Sequence, residues 1–434
     1  MEIEMKDSGV KGIGLIPDNY TVSRIKYIAD IYGRIGFRGY TQQDLVEEGE
    51  GPITLSPSNF RDMKMTYEKC SYLTWEKYYE SPEIMIQTGD VLFVKTGSTY
   101  GKSCYVQELP MECTINPQLI VFKNIKENAK WFSYFLQTEF IKNLSELAVV
   151  GGTIPTMSQE KIGNFTLIIP PKMTQDKITD YLDKKCVEID ALASNIQSQI
   201  DILEDYKKSV ITEAVTRGLN PNAQMKDSGI EWIGKIPSLW SIHPIYYFFN
   251  ERKNKNIFGT ENNLLSLSYG HIVRKNINSN GGLLPESFNT YNIVEKDDII
   301  IRPTDLQNDK RSLRTGIVKE RGIITSAYIS LKAIKEVNAT YFHYLLYTYD
   351  IMKVFYNMGN GVRQGLNFSE FSKLLIVSPS VEEQGEIVAY LDRKCNEIDS
   401  IIAIKREQLE ILEQYKKSLI FECVTGKKEI LADD

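Results

Sequence analysis

At 434 residues the chain is long enough for two to four domains with separate cores, and 42% hydrophobic with 25% charged residues is the ordinary make-up of a globular protein. No run of about 18 apolar residues occurs, which argues against a membrane-spanning helix, and the first residues lack a basic-then-apolar signal pattern, so a cytoplasmic protein is expected. The net charge of −6 argues mildly against a nucleic-acid binder, but it is unevenly spread: residues 219–379 carry net +5, while 171–218 and 380–434 are acidic. That pattern suits DNA contact by one part of the chain and protein contact by another. The six cysteines form no CxxC pair or metal-ligand spacing. Cys186 and Cys395 read as small buried hydrophobes. His243, His271 and His343 have no motif neighbours, so no catalytic or metal role is assigned to them.

In chain order, a short motif comes first. MKDSGVKGIGLIPDNY (5–20) recurs as MKDSGIEWIGKIPSLW (225–240). Its Gly, Pro, Asp and Ser content predicts irregular chain. A variable region follows each copy. The first contains strand-like segments at 52–60 and 90–95, with counterparts at 263–270 and 298–302. Aromatic-rich helices are expected at 130–144 and 340–355, then Gly-containing loops at 151–158 and 360–367. Strands FTLIIP (165–170) and LLIVSP (374–379) end at prolines, and a long helix begins after each. Each variable region is thus a mixed globule of about 160 residues, a common single-domain size.

The long segments 175–216 and 384–425 contain no Pro and share 22 identities in 42 aligned positions, which marks an internal duplication. A 4-3 spacing in the first runs through Leu182, Cys186, Ile189, Ala193, Ile196, Ile200, Leu203, Lys207, Val210 and Ala214. In the second it runs through Leu391, Cys395, Ile398, Ile402, Lys405, Leu409, Leu412, Lys416, Leu419 and Cys423. This is a coiled-coil seam sustained over four to five heptads. Each helix should be roughly 60 Å long. Neither can bury its seam alone, and the other copy is the obvious partner. The plainer alternative is two amphipathic helices, each packed on its own domain. Lys207 and Lys416, at equivalent seam positions, either set register or mark where pairing loosens.

The expected fold class is α+β: two mixed α/β globules separated by two long antiparallel coiled-coil helices, with an internal pseudo-two-fold repeat. The divisions are 1–172, 173–218, 219–380 and 381–426, with a tail at 427–434.

One catalytic motif comes close. TGSTYGKS (96–103) approximates a phosphate-binding loop, but its first glycine is one residue too late and a strand-like run follows where a helix is needed. A polar hairpin tip is the better reading. No methyltransferase, dinucleotide-binding or nucleophile-elbow motif is present. Basic and amide-rich loops remain, with the side chains that read base edges and neutralise phosphates. In the first region the candidate DNA-binding residues are Arg34, Arg38, Arg61, Lys64, Lys95, Thr96, Ser98, Tyr100, Lys102 and Thr153. In the second they are Arg274, Lys275, Arg302, Asn308, Lys310, Arg311, Arg314, Arg363 and Gln364. Any one of them taken singly reads first as a solvated surface residue.

The ordered combination resembles the specificity subunit of type I restriction-modification systems. It is carried by DSGIEWIGKIP (227–237) with its copy at 7–17, LLSLSYGHIVRK (264–275), GDVLFVKTGSTYGK (89–102) and the twin helix texts, and it covers essentially the whole chain. The second copy has Trp232 where the first has Gly12, and the variable regions are poorly alike. The resemblance implies two target-recognition domains, each reading one half of a split double-stranded DNA target. It also implies helices that serve as a ruler and as docking surface for two methyltransferase subunits, joined by restriction subunits that translocate DNA. Such a subunit has no catalysis and binds no cofactor of its own; S-adenosylmethionine, ATP and Mg belong to its partners. The other readings are a coiled-coil scaffold without sequence-specific DNA binding, and a P-loop enzyme.

Overall fold

A computed structural model describes residues 4–34, 36, 39–61, 64–150, 154–277, 287–304, 306, 313–358 and 365–430, the side chains of 356 and 357 excepted. The chain forms two compact units: residues 1–196 with 407–434, and residues 197–406. The division falls inside the two long helices, so each unit holds one globule and a part of both.

In the first unit an antiparallel sheet has the order Ser103–Tyr105, Val91–Val94, Leu119–Lys123, Asp30–Gly33. Alternation places Val91, Phe93, Ile120 and Phe122 in one core, and Leu92, Val94, Leu119 and Val121 in a second. Both faces are covered, which is why VLFV reads as a continuous apolar run. The first core receives helix α1 (Ala129–Leu136) and helix α2 (Glu139–Ala148). The second is closed by a smaller sheet in which Cys113–Ile115 pairs parallel with Ile53–Leu55.

The expected helix at 130–144 is therefore two. Thr138 adopts an extended conformation and caps α2, its hydroxyl accepting from the Ile141 N–H at 3.5 Å. Helix α3 (Lys172–Arg217) follows and is 46 residues long, about 69 Å at the usual rise.

The second unit repeats the sheet order with Phe249–Glu251, Ile329–Ala333, Ile299–Ile301 and Thr315–Ile317. The matched segments at 90–95 and 298–302 occupy the same place in it. Helix α4 (Ala339–Ile351) stays whole, and helix α5 (Val381–Thr425) follows with 45 residues.

The opening motifs are not irregular. Each makes a two-stranded ribbon, Met5–Asp7 with Leu15–Pro17 and Met225–Asp227 with Lys235–Pro237. Asp7 and Asp227 each accept a hydrogen bond from a glycine N–H two residues on, at 3.0 and 2.9 Å. This local bond lets a glycine-rich stretch turn back on itself. Trp232 stacks edge-on against Tyr349, 6.0 Å between centroids.

Each ribbon also meets a helix end. Gly218 after α3 and Gly426 after α5 both have φ near +74°. A Cβ on Gly218 would lie 3.3 Å from Trp240, and one on Gly426 would lie 2.6 Å from Pro17. Glycine satisfies both the left-handed cap and the close approach.

The two long helices pair antiparallel in each unit. Leu182, Cys186 and Ile189 share a core with Leu419, Ile420 and Cys423. Val210, Ala214 and Val215 share one with Ile387, Leu391 and Cys395. The seam residues Ile196, Ile200, Ile398 and Ile402 are also buried, whereas Leu203, Leu409 and Leu412 are half-buried. Lys207 donates to Asp399 at 2.6 Å and Lys416 to Asp190 at 2.5 Å. Both lysines and both aspartates are repeat equivalents, so the same cross-helix pair occurs once per unit. The pairs favour the register reading of these lysines over the loosening one. Cys186 and Cys395 are buried in the seam as expected.

Candidate nucleic-acid interface

In the first unit, residues 95–102 connect two antiparallel strands, with Gly97 and Gly101 at φ +103° and +85°. This is the polar hairpin tip expected in place of a phosphate loop. It is sewn to the segment after residue 153. Gly97 N–H donates to the Pro155 carbonyl at 3.0 Å, Met157 N–H donates to the Lys95 carbonyl at 2.9 Å, and Thr96 bridges to Thr156. The structure thus brings the hairpin tip and the segment after residue 153 to one edge. Ser98 and Lys102 are exposed, Tyr100 is half-buried against the core, and burial lowers the Lys95 ammonium pKa.

Arg61 and Lys64 sit on a separate ribbon. Arg61 reaches Glu68 at 3.4 Å, and the Lys64 ammonium lies 4.0 Å from Asp190 of α3. Lys64 therefore leans toward the helix rather than the hairpin tip.

Arg34 is a correction. It is 5% exposed and donates to the Ile115 carbonyl and to the Thr114 hydroxyl, both at 3.1 Å. Its guanidinium ties the end of strand Asp30–Gly33 to strand Cys113–Ile115 of the smaller sheet and does not present a free donor at the surface.

Arg314 is a second correction. It is fully buried, with its backbone N–H donating to the Asp350 carboxylate and its guanidinium Nη1 to the Thr304 carbonyl, each at 2.5 Å. A buried guanidinium requires an acceptor such as the Thr304 carbonyl, while the backbone bond to Asp350 ties the sheet edge to the end of α4. Arg302 is half-buried, and its N–H bonds the Arg314 carbonyl at 2.8 Å. Arg274 is exposed but forms a two-pronged pair with Glu320, and Lys275 beside it is exposed.

Other cations of this unit are also engaged. Arg252 donates to Asp298 at 3.0 Å, and Arg321 bonds both Glu261 and Glu295. The number of basic side chains in this segment therefore overstates its free positive surface. Arg38, Thr153, Asn308, Lys310, Arg311, Arg363 and Gln364 lie outside the described residues.

Sequence reading missed Tyr269. It tops a two-residue hairpin joining Leu265–Ser268 to His271–Arg274, at φ +46° and 80% exposed. The alternating LSLS and HIVR around Tyr-Gly is the signal that finds it. Phe258, 89% exposed, has no sequence signal of that kind. Among the described residues no group of three or more His, Cys, Asp or Glu side chains is placed to hold a metal ion. Among them, too, no helix is long and apolar enough to cross a membrane.

Two dissimilar globules, each with the same four-stranded sheet, carried on a repeated pair of long helices define a class of duplicated binding proteins. The type I restriction modification DNA specificity domain matches residues 17–201 and 249–414, and the chain belongs to that family. It is 24% identical over 432 residues to the putative type I restriction enzyme MjaX specificity subunit of Methanocaldococcus jannaschii, covering 96% of this chain and 95% of that one. The MjaVIII specificity subunit of the same organism is 23% identical over 371 residues, covering 80% of each chain. A structure solved in work on complex assembly and conformational transition of the type I R-M system shares the fold. Its TM-score is 0.61 at 13% identity, with 95% of this chain and 99% of that one covered.

Proposed function

We propose that this chain is the DNA-reading subunit of a type I restriction-modification complex. It binds a two-part, asymmetric double-stranded target, one recognition domain per half, and docks two methyltransferase subunits on its helices. One observation carries the reading: two unlike globules on one repeated helical frame, with Lys207–Asp399 and Lys416–Asp190 recurring at equivalent points. A repeated frame suits two copies of one partner, while unlike globules suit two different half-sites.

The docking face follows from the heptad. Asp183, Asp190, Asp392 and Asp399 each follow a seam residue, and Tyr134 and Tyr344 of the globules bond Asp183 and Asp392 at 2.7 Å. On the opposite flank, Leu192, Tyr206, Ile401 and Tyr415 each precede a seam residue and are exposed, with Ile202 and Ile411 one turn away. These apolar positions match pairwise between the helices, as two identical partner sites require. The chemistry, with its S-adenosylmethionine, ATP and Mg, is assigned to the methyltransferase and restriction subunits, and this chain is read as non-catalytic.

The test is to co-express the chain with its cognate methyltransferase subunit in a host lacking DNA methylation and to map modified positions by single-molecule sequencing. Two unlike half-sites at one fixed gap are expected. A palindromic or contiguous motif, or methylation independent of this chain, would refute the reading.

A further inference from the structure

A fixed gap requires that each recognition domain be held on its helices in one orientation. Apolar contact joins them, since Phe132 and Leu182 share one core and Phe342 and Leu391 another. Such contact is non-directional and resists a small roll weakly. Hydrogen bonds are directional.

In the first unit the buried Gln175 accepts from the N–H of the residue capping α1 at 2.8 Å and donates to the Pro170 carbonyl at 2.9 Å. Eight residues along α3, Asp183 accepts from the Tyr134 hydroxyl at 2.7 Å. The second unit repeats both. Gln384 accepts from the residue capping α4 at 2.9 Å and donates to the Pro379 carbonyl at 3.1 Å, and Tyr344 donates to Asp392 at 2.7 Å. The attachment points lie about 12 Å apart along each helix, which is a lever against rotation that one bond could not supply. The variable regions are otherwise poorly alike, yet the capping Asn128 and Asn338 and the tyrosines Tyr134 and Tyr344 are the same residues in both, as are Gln175 and Gln384 and Asp183 and Asp392 on the helices.

We propose that Gln175 with Tyr134–Asp183, and Gln384 with Tyr344–Asp392, are specificity-determining positioning residues. They fix the roll of each recognition domain about the helices and so confine the complex to one gap between half-sites. The inference rests on the two-part reading above. One base pair changes a gap by about 3.4 Å and about 35° of rotation, so a domain free to roll would accept neighbouring gaps without changing the bases it reads.

The test uses the full chain with its methyltransferase subunit and the same sequencing readout. Tyr134→Phe with Tyr344→Phe removes one hydroxyl per unit, and Gln175→Leu with Gln384→Leu removes the buried amides. Both pairs should keep the half-site sequences. Methylation at gaps one base pair longer or shorter, relative to the correct gap, should rise at least about five-fold, the worth of a single hydrogen bond, since each pair removes at least one from each unit. Unchanged relative methylation across gaps, whether total methylation holds or falls uniformly, overturns the proposal and leaves these bonds merely stabilising. If the leucine pair fails to fold, the phenylalanine pair decides. A wild-type chain without a two-part motif refutes the underlying reading, before any variant is compared.

Discussion

Arg314 stands in the most basic part of the chain and ends in its interior. Its charge and neighbours are legible in sequence but its burial is not, because burial depends on chain that folds over it, with the Thr304 carbonyl ten residues before accepting from the guanidinium and Asp350, 36 residues on, accepting from the backbone N–H. Arg34 escaped in the same way, since its acceptors at Thr114 and Ile115 are 80 residues distant. At the glycine-bounded hairpin tip Ser98 and Lys102 are exposed, while Tyr100 between them turns back against the core. Arg314→Ala should lower the stability of the second unit by about 2–4 kcal/mol, through a lost buried hydrogen bond and a cavity. Urea unfolding measures it, and an unchanged midpoint would contradict the structural role.

His343 gives a pH dependence. Burial lowers its pKa from 6.5 to about 4, and its Nε2 is enclosed without a partner. The folded state therefore binds the proton less readily than the unfolded state does. Stability is full above pH 6.5 and falls between pH 6.5 and 4, by at most about 2 kcal/mol at pH 5. The equivalent residue in the first unit is Ser133. His343→Ser should flatten this limb when urea midpoints at pH 7 and pH 5 are compared.

At the scale of elements, strong periodicity was readable and local breaks were not. The seam from Leu182 to Ala214 is buried or half-buried at every expected position, because a 3.5-residue repeat leaves one stripe to bury. Thr138 ends a helix while Thr348, in the matching place, does not: Gln137 and Glu139 flank the first, with Glu139 in the opening turn of α2, whereas Tyr347 and the buried Tyr349 flank the second. The opening motif folds against its composition: its residues favour turns, yet the short ribbon they make is held by Ile13 and Ile16 packing into the core. The same heptad leaves Tyr206 and Tyr415 outward. Replacing both with Glu should weaken assembly with the methyltransferase subunit at least about tenfold, the usual effect of losing a central aromatic anchor. Helicity should not change. Isothermal titration with the purified subunit checks this, and unchanged affinity would remove these residues from the docking face.

For the whole molecule, duplication was the most informative feature. It was visible without structure because two helices under one packing constraint kept the same residues. The DNA-contacting surface was less legible, because loop conformation decides which cation is free and which, like Arg274 or Arg321, is already paired. The central claim is that helix length sets the gap between two independently read half-sites. Deleting residues 198–201 together with residues 405–408 of the other helix shortens both helices by four residues, about 6 Å and 40° of helix rotation. One base pair of DNA turns through a similar angle. Mapped by single-molecule sequencing of methylated DNA, the deletion should shorten the gap by one or two base pairs and leave both half-site sequences intact. A methylated motif with the original gap, or with altered half-sites, would contradict it.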